Sequence, residues 1–253
     1  MALEIFRRRE QKYLITKPQY KELIRQLQMY MRPDKYGQNG KYTVSSLYFD
    51  NAEQQIYFET KNKLKYRQKL RLRTYGVTSI GGDAFFEVKQ KHDNVVNKRR
   101  LIMPLREAYR YLQEGDTADL NSYQSSNLQV LREIDYFMKY YQLEPKMIIS
   151  YDRQAFHGME DADLRVTFDL ELRCRKEDLL LEQGAHGIYF IDSNLVVLEV
   201  KVNDSVPLWL TRILQSLECE QRSASKFCSS MELLEDCLHQ QCGLLENTNW
   251  GGR

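Results

Sequence analysis

Residues 165–175 read RVTFDLELRCR. Polar and apolar residues alternate without a break, and on a strand side chains two apart share a face. Arg165, Thr167, Asp169, Glu171, Arg173 and Arg175 are therefore expected on one side, opposite Val166, Phe168, Leu170, Leu172 and Cys174. The same alternation recurs along the chain. In KLRLRTY (69–75), Lys69, Arg71 and Arg73 oppose Leu70 and Leu72; in FFEVKQK (85–91), Glu87, Lys89 and Lys91 oppose Phe86 and Val88. Lys98 and Arg100 pair up in NKRRLIM (97–103), Tyr151 and Arg153 in SYDRQ (150–154), Glu199 and Lys201 in LEVKV (198–202). Arg8, Glu10 and Lys12 line up near the start of the chain.

Working outward, Lys12–Ile15, Val44–Phe49, Lys69–Tyr75, Ala84–Lys91, Val95–Met103, Lys146–Phe156, Leu164–Arg175, Gly187–Ile191 and Leu195–Val202 are predicted strands. Helices are predicted from Pro18 to about Tyr30, after a cap at Asp50 or Asn51 to Glu59, and over 104–114, 127–141, 206–217 and 231–239. Strands in runs with helices between and after them imply an α+β fold built on an antiparallel sheet. No repeat or low-complexity linker divides the 253 residues, so the expectation is one domain over 1–242 with a loose tail over 243–253.

Composition narrows the function. The 37 Lys+Arg nearly balance the 35 Asp+Glu, so net charge gives no reason to expect a nucleic-acid or membrane-surface binder. Five cysteines without C-x-x-C spacing indicate neither a disulfide framework nor a zinc site, and the presence of only four histidines argues against histidine-based chemistry. The charged start of the chain lacks a signal-peptide core and no apolar run is long enough to span a bilayer, so a cytoplasmic protein is expected. No P-loop, G-x-G-x-x-G or G-x-S-x-G motif occurs.

What remains is the grouping of charge. A solvated strand face mixes Ser, Thr, Gln and both charges, whereas this one is dominated by Arg and Lys. Like charges on neighbouring strands cost stability unless an anion offsets them. A sheet closed into a barrel, helices covering its apolar outside and cations lining its inside, resolves that cost if the inside holds a polyanion. Glu10, Glu87 and Glu199 sit among the cations; each has a salt-bridge reading, and oxygen donors beside phosphates also suit Mg²⁺ or Mn²⁺. Glu199 is the first metal candidate and Glu10 the second, because VLEVKV is otherwise a buried-looking strand.

The ordered set REQKYLI, SLYFD, LRLRTYG, FFEVKQK, NKRR, YDRQAF, RVTFD, VLEVKV and SASKF, spanning about Arg8 to Phe227, resembles the VTC (vacuolar transporter chaperone) domain. That is the polyphosphate polymerase branch of the triphosphate tunnel metalloenzymes. The resemblance implies a basic tunnel inside an antiparallel barrel, a divalent metal with Mn²⁺ ahead of Mg²⁺, and transfer of the γ-phosphate of ATP to a growing polyphosphate chain. It implies catalytic roles for Arg71, Arg73, Lys89, Arg153, Arg165 and Lys201. Substrate binding falls to Lys12, Lys98, Arg100, Tyr151, Ser225 and Lys226, and metal binding to Glu199 with Glu10. Arg8 stands where hydrolytic tunnel enzymes carry a first glutamate, Ser223 where some polymerases carry a lysine, and Phe227 where a tyrosine is common. The expected partners are ATP and polyphosphate, with a membrane protein that handles the product. A metal-dependent triphosphatase and a non-catalytic polyphosphate sensor are the alternatives.

Overall fold

A computed structural model describes residues 9–93, 95–222 and 225–234. The expected tail over 243–253, Arg8 and Ser223 lie outside these residues. The strands are β1 (Arg9–Thr16), β2 (Met31–Pro33), β3 (Lys41–Asp50), β4 (Tyr66–Tyr75), β5 (Asp83–His92), β6 (Val95–Pro104), β7 (Glu144–Gly158), β8 (Arg165–Arg175), β9 (Ile188–Tyr189) and β10 (Leu195–Val202). The helices are α1 (Lys17–Leu27), α2 (Gln55–Lys61), α3 (Leu105–Glu114), α4 (Leu128–Tyr141) and α5 (Leu208–Ser216). Residues 226–234 are also helical.

Local chemistry accounts for the helix starts. Thr16 and Gln19 form a reciprocal capping box on α1, with Pro18 in the first turn. Asn127 caps α4 by accepting from the Val130 N–H. The expected cap at Asp50 is real but acts at a distance. Its buried carboxylate accepts from the backbone N–H groups of Asn51, Ile56 and Tyr57, so α2 begins only at Gln55.

All strands belong to one antiparallel sheet ordered β1-β10-β8-β7-β3-β4-β5-β6, with β2 on β7 and β9 on β8. Its end strands β1 and β6 are not paired with each other among the described residues. The expected closure into a barrel is therefore not made by backbone hydrogen bonding. The sheet is nevertheless strongly curled. In a flat sheet β1 and β5 would stand about 29 Å apart at ~4.8 Å per strand, yet the charge of Lys89 on β5 bears on the carboxyl of Glu10 on β1.

Helices cover the convex side. Leu47, Leu70, Leu72 and Phe86 pack with Tyr111 of α3 and Leu131 and Ile134 of α4 in one core. Ile15, Val166, Phe168 and Leu198 pack with Tyr20 and Leu23 of α1 and Leu210 of α5 in a second.

The strand with the most regular alternation departs from it. Ser150 of β7 lies opposite Arg173 of β8, but Asp152 lies opposite Leu170, so two residues of β8 face one of β7. Glu171 takes up the extra residue at φ 52°, a β-bulge. Beyond it the faces swap. Arg165, Thr167 and Asp169 stay concave, whereas Arg173 turns outward to pair with Asp152 at 3.1 Å, and Leu172 and Cys174 come onto the concave side, where both are buried. Arg175 donates to the backbone carbonyls of Asp178, Leu180, Gly184 and His186. The expectation that Arg173 and Arg175 share the face of Arg165 is corrected here. The predicted strand over 187–191 is reduced to Ile188–Tyr189, paired only with Arg173 and Cys174. The helix predicted over 231–239 begins earlier, at residue 226.

Candidate anion-binding site

The concave face holds two charged clusters, each built around buried carboxylates. In the first, Glu87 of β5 is 1% exposed and meets cations from both neighbouring strands. Arg71 reaches Glu87 Oε2 at 2.6 Å and Arg73 at 3.8 Å from β4, while Lys98 reaches Oε1 at 2.6 Å and Arg100 pairs with the same oxygen from β6. Burial works against the Glu87 charge, and the four cations overcome it, holding the carboxyl far below the usual range. Arg73 also donates to Ser46 Oγ at 2.9 Å and to Tyr151 Oη at 3.3 Å, and Arg71 to Tyr48 Oη at 3.3 Å.

The second cluster joins β1, β7, β8, β10 and the start of helix 226–234. Glu199 is approached by Lys226 at 2.9 Å, Lys201 at 3.2 Å, Lys12 at 3.6 Å and Arg153 at 3.7 Å. Fully buried Asp169 receives a two-pronged contact from Arg153, at 2.6 and 2.8 Å, and a third from Lys226 at 2.7 Å. Burial disfavours both charges, but the surrounding cations hold both carboxyls below their ordinary values. Lys226 is correspondingly pushed up against its own burial by Asp169 and Glu199. Glu10 pairs with Lys12 at 3.1 Å and Lys201 at 3.9 Å. Its burial is outweighed by Lys201 and Lys12, and its carboxyl is lowered to about 2.

Tyr151 ties the clusters together: it accepts from Arg73, and Arg153 and Lys226 lie over its ring at 5.2 and 5.1 Å. Residues 225–227 reach across the concavity. Ser225 Oγ accepts from Lys69 of β4 at 3.1 Å, and Phe227 stacks on Tyr48 of β3. Lys69 has no carboxylate within 4 Å among the described residues, and Lys89 of β5 stands directly opposite it. Burial, with Lys12 and Lys89 nearby, lowers Lys69 to about 8. Tyr48 is also lowered to about 8, because Arg71 and Arg73 more than offset its burial.

All of the sequence-predicted site residues thus share one face, but not one point. Arg71, Arg73, Lys98 and Arg100 belong to the Glu87 cluster; Lys12, Arg153, Lys201, Lys226, Glu10 and Glu199 to the other; Tyr151 lies between them, and Ser225 with Lys89 toward Lys69. Arg165 stands apart at the rim, held by Asp34 and Tyr42. Glu87 is more central than its place behind Glu199 and Glu10 implies, and Asp169, Lys69, Tyr48 and Asp34 are not among the expected site residues. Asp169 and Lys69 were legible as members of the charged face; Asp34 had no signal.

The donors fit a hard divalent cation in one limited way. Glu10 and Glu199 share Lys12 and Lys201, so two carboxylates stand side by side, the number such a cation takes alongside phosphate oxygens. Among the described residues no group of three His, Cys, Asp or Glu side chains could hold a metal unaided. No helix there is long and apolar enough to cross a membrane.

Comparison with known proteins places the family and the fold. The sequence model of the VTC domain matches residues 7–235. Vacuolar transporter chaperone complex subunit 4 of Trypanosoma cruzi is 24% identical over 208 residues, 68% of this chain but only 25% of that protein. The chain spans about a quarter of the length of this relative. Among solved structures, HpAC1 from Hippeastrum, described as a putative adenylyl cyclase with a dominant triphosphatase activity, aligns with a TM-score of 0.50 at 14% identity. That alignment covers 86% of this chain and 92% of the other and shows a shared fold.

Proposed function

The chain belongs to the VTC domain family, and from that premise we propose that it transfers the γ-phosphate of ATP to the end of an inorganic polyphosphate chain. The observation that carries this reading is the surplus of cations on the concave face. Among the described residues, Lys and Arg on that face outnumber Glu10, Glu87, Asp169 and Glu199 by more than two to one. Such a face is stable with a polyanion lying in it. In this reading the curled sheet encloses the chain as a tunnel.

The reaction needs no side-chain nucleophile. A terminal phosphate oxygen of the acceptor attacks the γ-phosphorus, the bond to the bridging oxygen breaks, and ADP leaves with the electron pair. Catalysis is then positioning and charge neutralisation. Arg71, Arg73, Lys89, Arg153, Arg165 and Lys201 hold the transferring phosphates, and Lys12, Lys98, Arg100, Tyr151, Ser225 and Lys226 orient nucleotide and chain. Glu199 with Glu10 would hold Mn²⁺ or Mg²⁺, which adds positive charge at the phosphate oxygens. The name of the trypanosome relative, a subunit of a vacuolar transporter chaperone complex, supports a domain that works beside a membrane component.

Hydrolysis, with water in place of the acceptor, is the second reading, favoured by the triphosphatase activity in the description of the Hippeastrum protein of similar fold. One assay separates them: incubate the protein with ATP and Mn²⁺ and resolve the products by length. Long chains and ADP are expected. Free phosphate alone would select the hydrolase, and no turnover would overturn both.

A further inference from the structure

Arg165 is the one predicted phosphate-binding arginine that belongs to neither carboxylate cluster. It lies directly opposite Lys201 on β10 and His157 on β7, at the end of the concave face marked by Glu10 and Tyr42. Its Nη2 donates to Asp34 Oδ2 at 2.9 Å and to Tyr42 Oη at 3.2 Å. Its Nε is buried without a partner. The guanidinium is thus held in direction through a single nitrogen, chiefly by one carboxylate.

That carboxylate comes from a loop built to hold it still. β2 and β3 both pair with β7, and residues 34–40 form the excursion between Pro33 opposite Phe156 and Lys41 opposite Gln154. Asp34 N–H donates to the Ala155 carbonyl at 2.8 Å, and Ala155 N–H to that of Gly40 at 3.0 Å. Gly37 and Gly40 sit at φ +70°, where a Cβ would stand 1.9 Å from Lys41 O and 2.6 Å from Ala155 O respectively. Asp34 is 7% exposed; Oδ1 accepts from Tyr36 N–H at 3.3 Å, and His157 Nε2 lies 3.5 Å from Oδ2.

We propose that Asp34 is a positioning residue: it aims Arg165 at the polyanion entering this end of the site. The inference rests on the phosphate-handling reading above. Asp34→Asn gives a diagnostic sign. Removing a negative charge beside an anion site strengthens anion binding by electrostatics alone, so weaker binding in the variant reports lost orientation. The asparagine oxygen can still accept from Tyr36 N–H, which preserves the turn.

The experiment is calorimetric titration of tripolyphosphate into the parent, Asp34→Asn, Arg165→Ala and the double variant, with melting temperatures measured in parallel. Expected are a loss of affinity of about tenfold in Asp34→Asn, one lost charge-assisted contact, and no further loss when Asp34→Asn is added to Arg165→Ala. Unchanged or tighter binding in Asp34→Asn, or an equal loss in the Arg165→Ala background, overturns the proposal. If Asp34→Asn does not fold, Asp34→Glu keeps the charge but shifts the guanidinium, and parent-like affinity there is equally fatal. Turnover of ATP by the parent is scored separately. A parent that binds tripolyphosphate without turning ATP over refutes the polymerase reading and leaves the affinity ratio to judge Asp34; a parent that binds no tripolyphosphate refutes both.

Discussion

Glu87 shows why a face crowded with cations can be intrinsically unstable. One carboxylate, 1% exposed, neutralises parts of Arg71, Arg73, Lys98 and Arg100. Glu87→Gln leaves those cations facing one another, two of them well covered, and removing one partner of a buried charge set costs about 3 kcal/mol or more. For a domain of this size that is a fall in melting temperature of roughly 10 °C. Tripolyphosphate should restore part of it, because an anion substitutes for the lost charge; thermal denaturation with and without tripolyphosphate measures both effects. Arg71→Ala and Arg73→Ala are accordingly not neutral for folding, since each leaves Glu87 less compensated. Glu199→Gln is the informative change for the metal. It keeps shape and a hydrogen-bonding oxygen but leaves Lys226, Lys201, Lys12 and Arg153 less compensated, so it is assayed well below its own melting temperature; there activity is expected to fall, and added Mn²⁺ should not restore it. Full metal-dependent turnover in that variant would remove Glu199 as a ligand and turn attention to Glu10 and Glu87.

Single strands explain what was legible beforehand. The charged faces of β1, β4, β5, β6 and β10, and of β7 beyond its irregularity at Lys146, follow from alternation alone, because a strand segment without a bulge has only two sides. β8 failed at one residue. Nothing in RVTFDLELRCR distinguishes Glu171 from its neighbours, yet its positive φ turns Arg173 and Arg175 off the site. Asp34 was invisible for a different reason: it acts from a loop whose approach to Arg165 spans 131 residues of sequence. β4 and β3 also set the pH response, through Lys69 and Tyr48. Lys69 and Tyr48, both lowered to about 8, lose protons together as pH rises. The face then loses a positive charge and gains a negative one, so tripolyphosphate affinity should fall between about pH 7 and 9. Stability without ligand moves the opposite way. Both groups bind protons less readily folded than unfolded, so stability rises as pH climbs from about 8 toward 10. Lys98, lowered to about 7 chiefly by its burial, contributes in the same direction, so Lys69→Met with Tyr48→Phe should weaken both trends without abolishing them, as followed by titration calorimetry and urea denaturation at each pH.

At the scale of the whole molecule the question is whether the curled sheet acts as an enclosure. Its end strands do not pair among the described residues, so enclosure rests on curvature and on residues 225–227 reaching from Lys69 and Tyr48 to Asp169 and Glu199. An enclosed cationic face distinguishes anions by reach. A longer anion can meet more of the cations along this face, so three linked phosphates reach more of them than pyrophosphate, and pyrophosphate more than sulfate. Any ligand that binds only the folded state stabilises it, by about 2.7 kcal/mol at a hundred times its dissociation constant. For a domain of this size that is a melting shift of roughly 5–10 °C. Tripolyphosphate should raise the melting temperature more than pyrophosphate, and pyrophosphate more than sulfate, at matched ionic strength. Ordinary screening depends on ionic strength and not on chain length, and would move all three alike. Equal shifts would therefore mean that the basic face is an open, solvated sheet, and would remove the physical basis for a polyphosphate tunnel.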